Sequence, residues 1–382
     1  MPTEAEVLEA LRPVQDPELQ RSIVDLDMVR AIDVDDGRVG VTVALTVAGC
    51  PLRAEITDRV TRAVEALDGV RNVDVDLTVM TDEQRAALRD RMQGPSGPQS
   101  GGQGPGPAAG DGEAPKVPFA DPSSSTRVLG LSSGKGGVGK SSVTVNLAIA
   151  LAQKGHEVAV LDADVYGFSV PKMLGLTQEP VVLDGMIVPP VAHGVKVVST
   201  GFFVGDDQPV IWRGPMLHKA LNQFLTDVLW GEPDYLLVDM PPGTGDVALS
   251  LAQFLPRSEM FVVTTPQPAA QRVAQRSALM ARKVNLSVRG VIENMSWFTG
   301  DDGTRYPIFG EGGGQLLADD LGVPLLTQIP LVTALREGGD MGAPITVTDR
   351  GSEASQAFAG LADRVAALGR SRVFSPELRI QG

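Results

Sequence analysis

The stretch Leu129–Val143, LGLSSGKGGVGKSSV, limits this chain more than any other. An apolar run, RVLGLSS, ends in Gly134-Lys135-Gly136-Gly137-Val138-Gly139-Lys140-Ser141, and an apolar helical pattern, KSSVTVNLAIALAQKG, follows directly. This is G-x-x-x-x-G-K-[ST] between a strand and a helix, the context that separates a phosphate-cradling loop from an ordinary glycine-rich turn. Glycines let successive backbone N–H groups turn inward around phosphate oxygens, and the start of the helix adds its dipole. Lys140 is expected to pair with the β- and γ-phosphates of ATP, and the Ser141 hydroxyl to ligate Mg²⁺. Gly134 through Ser142 are the expected nucleotide contacts.

Further strand candidates are EVAVLDAD, VKVVST, DYLLVDMP, EMFVVTTP, VRGVIENM and PLLTQIP, with helical stretches between most of them. Their near-continuous apolar runs suit strands buried on both faces, which predicts an α/β fold with a doubly wound, mostly parallel sheet over residues 127–382. LLVDMPPGTGD ends a strand in Asp239, the pattern of an acid that holds Mg²⁺. VAVLDADVYG ends another with Asp162 and Asp164. Carboxylates at the C-terminal edge of a sheet suit ordering a water for attack or holding the metal; capping the next segment is the alternative for either. Lys140 and Asp164 are catalytic candidates.

Residues 1–92 predict a small α+β domain. EAEVLEALRPV and LRAEITDRVTRAVEAL read as amphipathic helices, MVRAIDV, RVGVTVALTV and VRNVDVDLTV as strands, and Asp35-Asp36-Gly37 as a hairpin turn. Residues 93–126 hold eight Gly and seven Pro without a hydrophobic period and read as a flexible linker. As a coil it spans roughly 30 Å.

The formal charge of −14 works against non-specific attraction to DNA or anionic lipid. No apolar run reaches the length of a membrane span, and the N-terminus lacks the layout of a secretion signal. A cytoplasmic protein without nucleic-acid or membrane partners is expected. Cys50 is the sole cysteine, so neither an intrachain disulfide nor a C-x-x-C site exists. It stands just before an expected helix, where the dipole favours thiolate; a small residue packed under that helix is the other reading.

The second lysine inside the loop, Lys135, carries a resemblance. K-G-G-V-G-K-S resembles the deviant phosphate loop of the MinD/ParA/nitrogenase-iron-protein group, which implies a homodimer in which Lys135 reaches the partner's ATP. DMPPGTGD (239–246), VIENMSWF (291–298), IFGEGGG (308–314) and IPLVTALREGGDMGAPI (329–345) are similar to the Mrp/ApbC branch, the iron–sulfur cluster carrier ATPases. By that resemblance Asn294 reads the adenine edge. DPEL (16–19), IVDLDMV (23–29) and TVAGCPL (46–52) resemble the iron–sulfur-assembly domain often fused to this branch. The implied function is a nucleotide-gated iron–sulfur carrier whose partners are assembly proteins or recipient apoproteins.

One departure matters. The branch often has C-x-x-C between the ENMS and IFG segments, whereas this chain reads WFTGDDGTRYP there. Asp301 and Asp302 are hard oxygen donors, poor substitutes for thiolate on a cluster. Cys50 is then the one candidate sulfur ligand for iron. A MinD/ParA-like ATPase, or a scaffold whose ATP site gates partner binding without holding a cluster, is the competing expectation.

Overall fold

The computed structural model describes residues 2–17, 19, 21–46, 53–93, 117–165, 167–203, 214–243 and 246–371. The chain divides into two compact units. One comprises Met1–Gly97, Pro180–Pro190 and Leu229–Gly231; the other comprises Pro98–Glu179, Val191–Val228 and Glu232–Gly382.

In the smaller unit, α1 (Glu4–Leu11) opens on a capping box, with Thr3 and Glu6 each accepting the other's backbone N–H. β1 (Val29–Asp35) and β2 (Arg38–Leu45) form an antiparallel pair, turned by Asp36 and Gly37 at positive φ. After α2 (Arg53–Glu65), β3 (Asn72–Val79) joins β2 in parallel. α2 buries Ile56, Val60 and Val64, one residue per turn, against Val39, Val41 and Val43 of the central strand. A third helix, α3 (Asp82–Gln93), escapes the sequence reading because its segment is mostly polar; Leu88 and Met92, one turn apart, are buried.

The larger unit begins inside the expected linker. Val117 and Phe119 are buried, and Pro118–Ala120 form a 3₁₀ turn, so the last part of residues 93–126 is packed rather than free coil. An aromatic ring near the start of the domain gains more from burial than its short segment loses on ordering. Residues 94–116 lie outside the described residues.

The chain then runs β4 (Arg127–Ser133), α4 (Lys140–Gln153), β5 (Val158–Asp162), α5 (Val170–Met173), a hairpin of β6 (Val181–Leu183) and β7 (Met186–Val188), β8 (Val191–Ala192), β9 (Val195–Ser199) and α6 (Gly214–Thr226). It continues through β10 (Tyr235–Asp239), α7 (Asp246–Phe254), β11 (Glu259–Thr264), α8 (Pro268–Lys283), β12 (Ser287–Glu293), the short hairpin β13 (Phe298–Thr299) and β14 (Arg305–Tyr306), α9 (Gly313–Leu321) and β15 (Leu325–Gln328). α10 (Thr333–Met341), α11 (Ile345–Thr348) and α12 (Glu353–Ala367) follow.

The main sheet has the order β15-β12-β11-β4-β10-β5-β9-β8; β8 alone is antiparallel. This is the expected α/β fold with a doubly wound, mostly parallel sheet. β4, β5, β10 and β11 are buried along their whole length, which explains their unbroken apolar runs. One face of the sheet meets α4 and α12 through Leu129, Leu131, Val160, Leu237 and Phe261 against Leu147, Leu151, Phe358 and Leu361. The hairpin β6–β7 clusters with the smaller unit instead: Leu183, Val188 and Leu229 share a core with Val7, Leu11 and Leu45.

β10 lies between β4 and β5, with Asp239 in register with Leu131 on one side and Asp162 on the other. The glycine-rich loop and both acidic strand ends therefore converge on one edge of the sheet.

Candidate functional site

The loop after β4 is shaped by glycines where a side chain could not sit. Gly137 and Gly139 have φ of 81° and 80°, the left-handed region. A Cβ on Gly139 would fall 2.2 Å from Nδ2 of Asn294, and one on Gly134 would fall 2.2 Å from the backbone N of Ala274 in α8. The loop is thus pressed between α8 and the turn after β12. It lines a cleft of about 600 Å³ together with Asp164, Val165, Met173, Leu217 and Pro241.

At the cleft floor Lys140 is 6% exposed and donates to Oδ2 of Asp239 at 2.6 Å; Asp164 Oδ2 is 3.6 Å away. Ser141 Oγ donates to the same Asp239 oxygen at 2.6 Å. Thr144 Oγ1 lies 2.6 Å from the other oxygen, Oδ1. Two buried carboxylates, Asp164 and Asp239, thus flank one ammonium, and a third, Asp162, is buried on the neighbouring strand. Burial, and then the neighbouring Asp239, push the Asp162 carboxyl up to about 7.

The pair Asp162 and Asp164, left with shared alternatives by the sequence, divides its tasks. Asp162 turns inward and caps: it accepts from the N–H groups of Ser169 and Val170 at the start of α5, each at 3.2 Å, and from Ser199 Oγ at 3.1 Å. Asp164 lines the cleft beside Lys140.

Lys135 donates to Oε1 of Gln267 at 3.2 Å, at the start of α8 in the same chain. Asn294 is buried, its Nδ2 donating to the Val138 carbonyl at 2.9 Å, while its Oδ1 is buried without a partner. That orphaned acceptor is available to an amino group on a ligand. Gly136 and Gly137 face open space, as a loop that folds around phosphate requires. Ser142 is half-buried and its carbonyl accepts from Asn146. Cys50 lies outside the described residues.

The donor set fits Mg²⁺. Ser141 Oγ and Asp239 Oδ2 are hard oxygens that already converge, and the excess of buried carboxylate over ammonium favours a divalent cation. Magnesium keeps several waters and takes phosphate oxygens, so it needs few protein ligands. Among the described residues no group of three or more His, Cys, Asp or Glu side chains is placed to hold a metal by itself.

The segment that reads WFTGDDGTRYP forms the hairpin β13–β14. Arg305 lies over the Trp297 ring at 4.2 Å and pairs with Glu353 of α12, which also accepts from Thr299 at 3.0 Å. Asp302 closes the turn by accepting from the backbone N–H and hydroxyl of Thr304, which hold its carboxyl below the ordinary value.

Three residues near the site escaped the sequence reading. Thr144 sits one turn after Lys140, a spacing that could have exposed it. Gln267 and Glu293 carried no local signal. Glu293 is buried and accepts from Ser296 and Gln328 at 2.9 and 2.7 Å and from the N–H of Gly314, so it holds α9 against the turn that carries Asn294.

Residues 124–366 match the family described as NUBPL iron-transfer P-loop NTPase, and residues 4–77 match the family described as iron-sulfur cluster assembly protein. The iron-sulfur cluster carrier protein of Mycobacterium tuberculosis (strain ATCC 25618 / H37Rv) is 49% identical over 366 residues, 94% of this chain and 92% of the relative. That of Synechocystis sp. (strain ATCC 27184 / PCC 6803 / Kazusa) is 44% identical, covering 94% and 96%. Among solved structures, the nucleotide-binding protein from Archaeoglobus fulgidus in complex with ADP is 34% identical with a TM-score of 0.53, over 61% of this chain and 93% of that one. No described helix is long and apolar enough to cross a membrane. The chain belongs to the iron-transfer P-loop NTPase family, among the iron–sulfur cluster carrier proteins.

Proposed function

We propose that this chain is an ATP-hydrolysing, Mg²⁺-dependent iron–sulfur cluster carrier that works as a nucleotide-gated homodimer. The small domain (1–92) and the ATPase domain (127–382) are joined by residues 93–126, and assembly proteins or recipient apoproteins are its partners. The observation that carries this reading is the convergence of Lys140 Nζ and Ser141 Oγ on Asp239 Oδ2, each at 2.6 Å, below a glycine loop that contains a second lysine. Lys140 leaves Asp239 for the β/γ-phosphates when nucleotide binds, and Ser141 and Asp239 hold the metal. Bound magnesium supplies neutralisation of phosphate charge. Asp164, at the cleft wall, orients the attacking water, while the backbone N–H groups of Gly136 to Ser142 meet phosphate oxygens. Asn294 offers its unpaired Oδ1 to the adenine amino group.

Lys135 acts in trans. Leaving Gln267 and crossing to the partner's nucleotide, it neutralises charge that develops during phosphoryl transfer, so hydrolysis waits for two subunits to close. Turnover is expected to be abolished in Lys140→Ala and strongly reduced in Lys135→Ala; full turnover in the second would refute the in-trans role.

The cargo is a separate matter. With one cysteine per chain, a homodimer offers two sulfurs, and a four-iron cluster takes four. Partner proteins or small thiols complete the set if Cys50 is a ligand. The missing C-x-x-C favours a second reading, a scaffold whose nucleotide gates partner binding without cluster chemistry. Anaerobic reconstitution with iron and sulfide separates them: a stable cluster lost in Cys50→Ala supports the carrier, and no cluster in either protein supports the scaffold.

A further inference from the structure

α4 is a buried apolar helix: Val143, Val145, Leu147, Ala148, Ile149 and Leu151 all face the interior. Thr144 stands among them, fully buried, where valine would pack equally well. A hydroxyl is kept in such a place only where it has a partner.

Its partner is Asp239. Oδ2 of that carboxylate is met by Lys140 and Ser141, while Oδ1 is met by Thr144 Oγ1 at 2.6 Å. The hydroxyl also lies 3.0 Å from the carbonyl of Lys140. It has one proton, and the shorter contact to the charged acceptor takes it.

We infer that Thr144 is the positioning residue that keeps Asp239 Oδ2 turned toward the metal once nucleotide is bound. This rests on the nucleotide- and Mg²⁺-binding reading given above. On loading, Lys140 goes to phosphate and Ser141 to the metal, so both donors to Oδ2 are reassigned. Thr144, a turn deeper in α4, has no route to the ligand and remains on Oδ1. Without it the carboxylate is free to rotate about its last bond, and its metal-facing oxygen is no longer fixed.

The test is calorimetric titration of the full chain with ADP, with Mg²⁺ and with EDTA. In Thr144→Val, metal-free ADP affinity should stay within about twofold of wild type. The gain on adding Mg²⁺ should shrink about tenfold, the lower range expected for a hydrogen bond to a charged group. Thr144→Ser should restore the gain, and Thr144→Ala, which adds no second methyl, takes the place of the valine variant should that misfold. An undiminished Mg²⁺ gain in the hydroxyl-free variants overturns the inference. So does equal weakening with and without metal, which would mark Thr144 as a packing residue of the loop. A wild-type protein that binds no ADP overturns the nucleotide reading itself.

Discussion

Gly139→Ala is the sharpest probe of how the loop is built. Two independent costs follow from the structure. Gly139 sits at φ 80°, where an L-residue costs roughly 1–2 kcal/mol. The added Cβ would also lie 2.2 Å from Asn294 Nδ2, so Asn294 must withdraw from its 2.9 Å bond to the Val138 carbonyl. Asn294 is 2% exposed, and losing a bond between buried groups costs roughly 1–3 kcal/mol. The total, about 2–5 kcal/mol, corresponds to a fall in Tm of roughly 5–15 °C for a domain of this size. Gly136→Ala is the control: its φ is not positive and no atom lies within 4 Å of the added methyl, so stability should change by less than about 0.5 kcal/mol. Thermal unfolding of the three nucleotide-free proteins decides the matter. Equal melting temperatures for Gly139→Ala and wild type would refute the strained, Asn294-buttressed loop; a large loss in Gly136→Ala would show that the open side of the loop is not open.

Three further outcomes are expected. Asp162 has its folded pKa raised to about 7, well above the ordinary carboxylate range, so the folded state holds an extra proton across that interval. Its contribution to stability is therefore greatest below the unfolded value and is lost as pH rises through 7, with a slope of at most about −1.4 kcal/mol per pH unit. Asp162→Asn should remove that slope between pH 5 and 7 in urea unfolding of the nucleotide-free protein; an unchanged slope would exclude Asp162 as the group. Glu259 at the start of β11 pairs with Arg127 at 2.6 Å and accepts from the N–H of Ser371 at 2.8 Å, with Glu259 and Arg127 3% and 8% exposed. Glu259→Ala should cost about 3–5 kcal/mol in unfolding experiments by stranding a buried guanidinium, yet leave ADP affinity intact, because it lies at the opposite end of the strands from the loop. Gln267→Leu should leave ADP binding unchanged and raise Lys135-dependent turnover at low protein concentration, since the lysine no longer has its acceptor in the same chain; turnover equal to wild type at every concentration would sever Gln267 from Lys135.

The fold was legible wherever the determinant was local. RVLGLSS became β4 over its full length, and the helix starting at Lys140 followed, because burial on both faces and glycine backbone freedom are written in consecutive residues. α3 was not legible: two large apolar side chains in twelve residues give no period, and the helix is recognisable only where Leu88 and Met92 find a core. The hairpin 181–188 was missed for a similar reason. Its strands are three residues each, and what they bury is decided by residues far away in the chain.

The amino-acid order by itself determined that a phosphate loop joins a strand to a helix, that acids end two other strands, and that a single thiol is available. Only the tertiary structure decided that β10 lies between β4 and β5, and with that which acid does what. Asp239 meets Lys140, Ser141 and Thr144 across 95 to 99 positions, whereas Asp162 is drawn to α5 and Ser199 and leaves Asp164 at the cleft. The reason is physical. Backbone freedom and burial of a strand act between neighbours in sequence, while the partner of a buried carboxylate is whichever donor the strand order carries within hydrogen-bonding distance.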